Sequence, residues 1–140
     1  MPTAIEGGCL CGKTRYRLLA GPDYLNDCHC IDCRKSSGAP FVSWGTVERA
    51  KLQLLSGELR KIPHANRIRS FAACCGTHLF FEESAATPTL DVTLASLDDP
   101  KPFAPRIAIW TEDRLPWVRL DDTRPNYPQA SSPKTNPPPL

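Results

Sequence analysis

Seven cysteines in three tight groups constrain this chain more than any other feature: Cys9-Leu10-Cys11, then Cys28-His29-Cys30-Ile31-Asp32-Cys33, then Cys74-Cys75. Thiols one or two residues apart suit chelation of a soft metal ion. With Zn–S bonds of about 2.3 Å, the sulfurs of a tetrahedral site stand a little under about 4 Å apart. Neighbouring positions on one short segment reach that spacing easily. Seven thiols exceed the four ligands of one closed site, so the expectation is zinc at one or two positions per chain. A second position can keep an open coordination place, where zinc chemistry happens.

A disulfide framework is the competing reading. It fits poorly, because an odd count leaves one thiol unpaired and Met1 to Leu10 lacks the basic start and apolar run of a secretory signal. No run of about 18 apolar residues marks a membrane span. The expected setting is therefore a reducing one, the cytoplasm, with no membrane partner.

A chain of 140 residues is expected to form a single domain with a modest core. A net charge of +2 argues against nucleic acid as a partner. The charge is unevenly spread: residues 1–70 hold 11 Lys/Arg against 6 Asp/Glu, and residues 71–140 hold 6 against 9. Arg34 and Lys35, directly after the central cysteines, read either as solvated surface or as a positive rim for an anionic small molecule. Nothing in the sequence sets an oligomeric state.

Fifteen prolines and eight glycines, widely spread, disfavour long helices. Alternating apolar runs predict strands instead. Thr14, Tyr16 and Leu18 share one face, as do Leu52 with Leu54, Leu90 with Val92 and Leu94, and Ile107 with Ile109. Phe41–Trp44 and Leu79–Phe81 read as two more strands, with turns at Gly21-Pro22, Ser56-Gly57, Pro63, Asp98-Asp99-Pro100 and Leu115-Pro116. The fold class is mainly β, built of small antiparallel sheets. From Arg124 to Leu140, six of seventeen residues are proline, so residues 124–140 read as an extended surface tail after a domain of residues 1–123.

Cys28, Cys30 and Cys33 form C-x-C-x2-C, three thiolates able to converge on one ion with a fourth position left open. Such a centre is catalytic if the position stays open, and structural if a further residue closes it. A three-thiolate zinc centre carries a negative charge, which His29, Arg34 and Lys35 are placed to offset. Cys9 and Cys11, flanked by Gly8 and Gly12, supply only two ligands, and Cys74-Cys75-Gly76 is the obvious distant supplier of the rest. That bond would join the ends of the β core, a structural task. His29 and His78 are near enough to cysteines to be further candidate ligands.

The order Gly8-Cys9-Leu10-Cys11-Gly12, Cys28-His29-Cys30-Ile31-Asp32-Cys33-Arg34-Lys35-Ser36-Ser37-Gly38-Ala39-Pro40-Phe41 and Arg69-Ser70-Phe71 leading to Cys75-Gly76-Thr77 resembles the glutathione-dependent formaldehyde-activating enzymes, a family that also contains centromere protein V. The similarity continues through Asp91-Val92, Ser96-Leu97-Asp98 and Pro116-Trp117. The resemblance implies a zinc-binding β-tent with two metal sites. Cys28, Cys30 and Cys33 match the catalytic ligands, and Cys9, Cys11 and Cys75 match structural ones. It also implies a carbon–sulfur lyase that joins or separates a thiol, glutathione as co-substrate, and a small aldehyde, formaldehyde. A zinc-stabilised binding module or adduct carrier without turnover is the alternative. The chain departs from the pattern where relatives have Phe-Cys-x-x-Cys-Gly, because it reads Phe71-Ala72-Ala73-Cys74-Cys75-Gly76. Cys74 then serves as the substitute ligand, or another group fills the gap, or the site is weak.

Overall fold

The computed structural model describes residues 4–131. Two sheets carry the fold. The smaller is antiparallel, in the order β1 (Ile5–Gly8), β2 (Arg15–Leu18), β5 (Leu52–Ser56). The larger has seven strands in the order β10 (Ile107–Ile109), β3 (Asp23–Cys28), β4 (Val42–Glu48), β9 (Thr89–Thr93), β8 (His78–Glu82), β7 (Arg67–Ala72), β6 (Leu59–His64). Every pairing is antiparallel except β10 beside β3, which is parallel. The α-helix α1 (Ile31–Ser37) follows β3 directly and ends on Gly38 in a left-handed conformation at φ 69°.

The seven-stranded sheet is used on both faces, as its residues alternate. On β9, Leu90 and Val92 join a core with Tyr16, Leu18, Leu25, Val47 and Leu79, where the small sheet packs on the large one. On the opposite face Tyr24, Cys28, Val42 and Trp44 gather with Cys33 of α1 and with Ile107 and Ile109. Thr14, Tyr16 and Leu18 are fully buried, as their shared face requires. The Tyr16 hydroxyl hydrogen-bonds Ser96 at 2.6 Å, and Arg15 makes a two-pronged contact with Asp98, so the Ser96–Asp98 segment is tied to β2.

Gly45 sits where β4 is pressed from the core side. A Cβ there would stand 2.7 Å from Pro22 Cβ and 2.8 Å from Leu94 Cδ2. Gly45→Ala is expected to destabilise the fold by about 1–3 kcal/mol through overpacking, read as a lower melting temperature.

One local reading is corrected. Pro63 is not a turn but part of β6, paired with Ile68 of β7. Proline is tolerated there because β6 is the sheet edge, where a missing N–H leaves no neighbour unpaired. The turn falls at Ala65-Asn66, both at positive φ. The described part of the proline-rich segment lies along β10: Ala108 N–H donates to the Pro125 carbonyl, and Tyr127 N–H to that of Ala108. Arg124 reaches Asp27 on β3 at 2.8 Å, and the Tyr24 and Ser131 hydroxyls are 2.5 Å apart. Residues 132–140 lie outside the described residues.

Candidate metal centre and substrate cavity

All seven cysteines are free thiols. They form two groups, Cys28 with Cys30 and Cys33, and Cys9 with Cys11, Cys74 and Cys75, and within each the sulfurs lie within 4.8 Å of one another.

The three-sulfur group is built by a change of backbone regime. Cys28 closes β3, held between Val42 of β4 and Ile109 of β10. Cys30 is the N-cap of α1: its sulfur accepts the Cys33 N–H at 3.3 Å. One helical turn then swings Cys33 back toward Cys28, with its sulfur 3.4 Å from the Trp44 indole N–H. A strand end, a cap and a first turn thus bring the three thiols together. Hydrogen bonds from Cys28 and Cys33, in that order, hold the Cys30 thiol far below its ordinary value, and the same contacts push Cys28 far up.

This trio opens on a cavity of about 440 Å³, lined on its other sides by Tyr24, Phe81, Trp110, Arg67, Arg69 and acidic residues including Glu83 and Asp91. That volume falls within the range of small-molecule sites. Tyr24 and Trp110, on its walls, have left-handed backbones at φ 48° and 56°, a cost borne by residues whose placement matters. Ala130, from the segment beside β10, completes the lining.

Arg34 and Lys35 do not line this cavity. Arg34 Nη1 donates to the Asp113 carbonyl at 2.9 Å, and Lys35 is exposed on the far part of α1. The lining cations are Arg67 and Arg69 of β7. Sequence reasoning missed them because they stand about 40 positions from the trio. The available signals were their i, i+2 spacing on a strand and the place of Arg69 in the Arg69-Ser70-Phe71 motif.

Neither candidate histidine joins a sulfur group. His29 is buried with its ring 4.9 Å from that of Phe41. His78 stacks on Phe71 at 4.6 Å and meets Trp44 edge-on at 5.3 Å, with both nitrogens buried and unpaired. Burial, then the nearby Arg69 charge, pulls its pKa down to about 4. The unfolded chain therefore takes up a proton near the ordinary value of 6.5 while the folded one resists, and stability falls as pH drops from about 6.5 toward 4. His78→Phe keeps the stacking and removes the titration. Its stability loss between pH 7 and pH 4.5 should be smaller than the parent's by about 1–3 kcal/mol, measured by denaturant melts of the two proteins side by side.

The four-sulfur group lies at the other end of β7. Cys9 and Cys11 come from the β1–β2 connection, and Cys74 and Cys75 from the β7–β8 turn. Cys9 is 3.6 Å from both Cys11 and Cys74, Cys11 and Cys74 are 3.3 Å apart, and Cys74 and Cys75 are 4.0 Å apart. These separations bracket what a tetrahedral four-thiolate zinc requires. Outer contacts hold the sulfurs in place: Thr14 N–H donates to Cys9, and the hydroxyls of Thr14 and Thr77 lie 3.3 Å from Cys74 and Cys75 respectively.

Residues 4–113 match the protein family described as glutathione-dependent formaldehyde-activating enzyme. The chain belongs to this family. Its fold is shared with the crystal structure of a Rhodobacter sphaeroides protein from a structural genomics programme, at TM-score 0.53 and 21% identity, over 86% of this chain and 98% of that one. No curated protein matches the chain. Within the formaldehyde-activating family's pattern, Ala72 stands where a ligating cysteine is expected. It is buried in the core rather than turned to the sulfurs. Adjacent cysteines on an extended strand would point to opposite sides, but residues 73–75 form a turn, with Gly76 left-handed at φ 78° and its N–H donating to the Ala72 carbonyl. The turn removes the alternation, and both sulfurs reach the same group. No helix among the described residues is long and apolar enough to cross a membrane.

Proposed function

We propose that this chain is a zinc-dependent carbon–sulfur lyase of the cytoplasm, joining or separating glutathione and formaldehyde. The observation that carries the reading is a group of three cysteine sulfurs, with no fourth cysteine, histidine or carboxylate donor grouped with them among the described residues, facing a cavity of ligand size. The four-sulfur group fits a structural ion, with Cys9, Cys11, Cys74 and Cys75 as its ligands.

Cys28, Cys30 and Cys33 would hold the catalytic ion, which supplies Lewis acidity that favours a thiolate over a thiol and polarises a carbonyl oxygen. The remaining work falls to the chain. Trp44 donates to Cys33 and keeps that sulfur turned inward. Cys30 gains from the Cys33 N–H, so the trio is set before any cation arrives. The cavity walls bring thiol and aldehyde together, where proximity lowers the barrier. In the joining direction a bond forms between thiol sulfur and aldehyde carbon. The carbonyl π pair moves onto oxygen, and the proton given up by the thiol ends there. Separation is the reverse, with no net oxidation.

Exchange NMR on formaldehyde and glutathione tests this directly. Zinc-loaded protein should speed exchange between free and hydroxymethylated glutathione above the rate in buffer with the same zinc. Exchange no faster than that control sinks the reading.

A further inference from the structure

We propose that Arg69 and Arg67 form a carboxylate subsite in this cavity, so that the thiol it accepts must carry a carboxylate away from its sulfur. The inference rests on the reading that the cavity beside the cysteine trio receives a thiol.

The placement follows from strand geometry. On β7, Arg67 and Arg69 share a face with period two, while Ser70 between that row and Phe71 is buried on the opposite side. Both arginines line the cavity. The Arg69 guanidinium lies over the Phe81 ring, 4.8 Å from its centre, which fixes its plane. Its Nη1 is buried and has no hydrogen-bond partner among the described residues. A buried guanidinium N–H without an acceptor is costly, and an oxygen brought by a ligand removes that cost. The planar fork of arginine matches a carboxylate in two-point contact, which an ammonium cannot do. Arg67 is exposed two residues away in the same row and lines the same cavity, a second cation for the same anion.

The rest of the lining narrows the ligand class. Asp32, Glu83, Asp91 and Asp113 also border the cavity, so four carboxylates face two guanidiniums. A polyanion such as a nucleoside phosphate is disfavoured by that balance. A single carboxylate on an amino-acid or peptide thiol, with an ammonium elsewhere in the molecule, is accommodated. Arg34, whose Nη1 donates to the Asp113 backbone carbonyl, is not among the lining residues.

Arg69 also neighbours the trio, as its charge helps hold Cys30 deprotonated. Its subsite role must therefore be separated from support of the sulfurs. The test uses the zinc-loaded full chain without aldehyde, titrated calorimetrically with glutathione and with glutathione diethyl ester, whose carboxylates are capped and whose thiol and amine are intact. The parent should bind glutathione at least tenfold more tightly than the ester. Arg67→Gln and Arg69→Gln should each erode that ratio, and the double variant should abolish it while ester affinity changes less than twofold. Arg69→Lys, which keeps the charge but not the fork, should restore only part, with zinc content measured on every variant. Equal affinity of the parent for the two ligands overturns the subsite, as does parallel loss of both ligands in the arginine variants. Arginine-dependent binding without accelerated exchange would reject the lyase reading and leave the subsite standing. Catalysis that prefers the ester would do the opposite.

Discussion

Replacing Cys30 by serine is expected to cut the exchange of formaldehyde with glutathione to the rate of buffer, with little change in the melting temperature of the metal-free protein. Serine preserves what Cys30 does for the backbone. It is a favoured N-cap, and its oxygen can accept the Cys33 N–H that the sulfur accepts now. What it does not preserve is a soft thiolate, so the loss falls on the cation and not on α1. Disturbing a mere supporting contact around a metal costs about 10–100-fold. Loss of a ligand from a set of only three should exceed the upper end of that range. Zinc content should fall by one equivalent in the same sample. A Cys30→Ser protein that keeps both its zinc and its rate would place the chemistry elsewhere.

The second large effect is expected from Cys74→Ala. Cys74 is exposed, so truncating its side chain leaves no core cavity, and such a change ordinarily shifts stability by no more than about 0.5 kcal/mol. If its sulfur is a ligand, the outcome is very different. Structural zinc sites contribute about 10–16 kcal/mol of apparent binding energy in small domains, and whole domains are stable by only about 5–15 kcal/mol. Losing a quarter of the donor set should therefore lower stability by several kcal/mol and reduce bound zinc from two equivalents to one. Elemental analysis after extensive buffer exchange, together with a thermal melt, reads both. A variant that retains two equivalents and melts like its parent would remove Cys74 from the ligand set. Chelator added to the parent withdraws both ions, so its melt should fall at least as far as the variant's.

The cysteine spacing made both sulfur groups legible in the sequence, since short-range chelating patterns survive any reasonable fold. The period-two rows were equally readable where one face is buried: Tyr16 and Leu18, Leu90 and Val92, and Ile107 and Ile109 all sit in the core. The β6–β7 hairpin was hidden because β6 is an exposed edge, whose side chains are free of the alternation that burial imposes. The parallel placement of β10 depends on where a distant segment returns, which periodicity does not encode. Arg34 and Lys35 were attractive because they follow the trio in sequence, yet a helix of two turns is enough to carry them off the cavity wall. The lining arginines came from a strand that propensity alone did not reveal. The sequence left open whether Cys74 could stand in for the missing ligand, because only the turn at residues 73–75 brings its sulfur and that of Cys75 to the same group.

The strand that presents Arg67 and Arg69 to the cavity runs straight into the turn that presents Cys74 and Cys75. One ribbon therefore joins the proposed structural ion site at one end to the cavity wall at the other. If stripping an ion bound there shifts that wall, occupancy at the exposed end and grip at the sheltered end are thermodynamically linked. Reciprocity requires that a guest bound between the walls make the remote ion harder to extract.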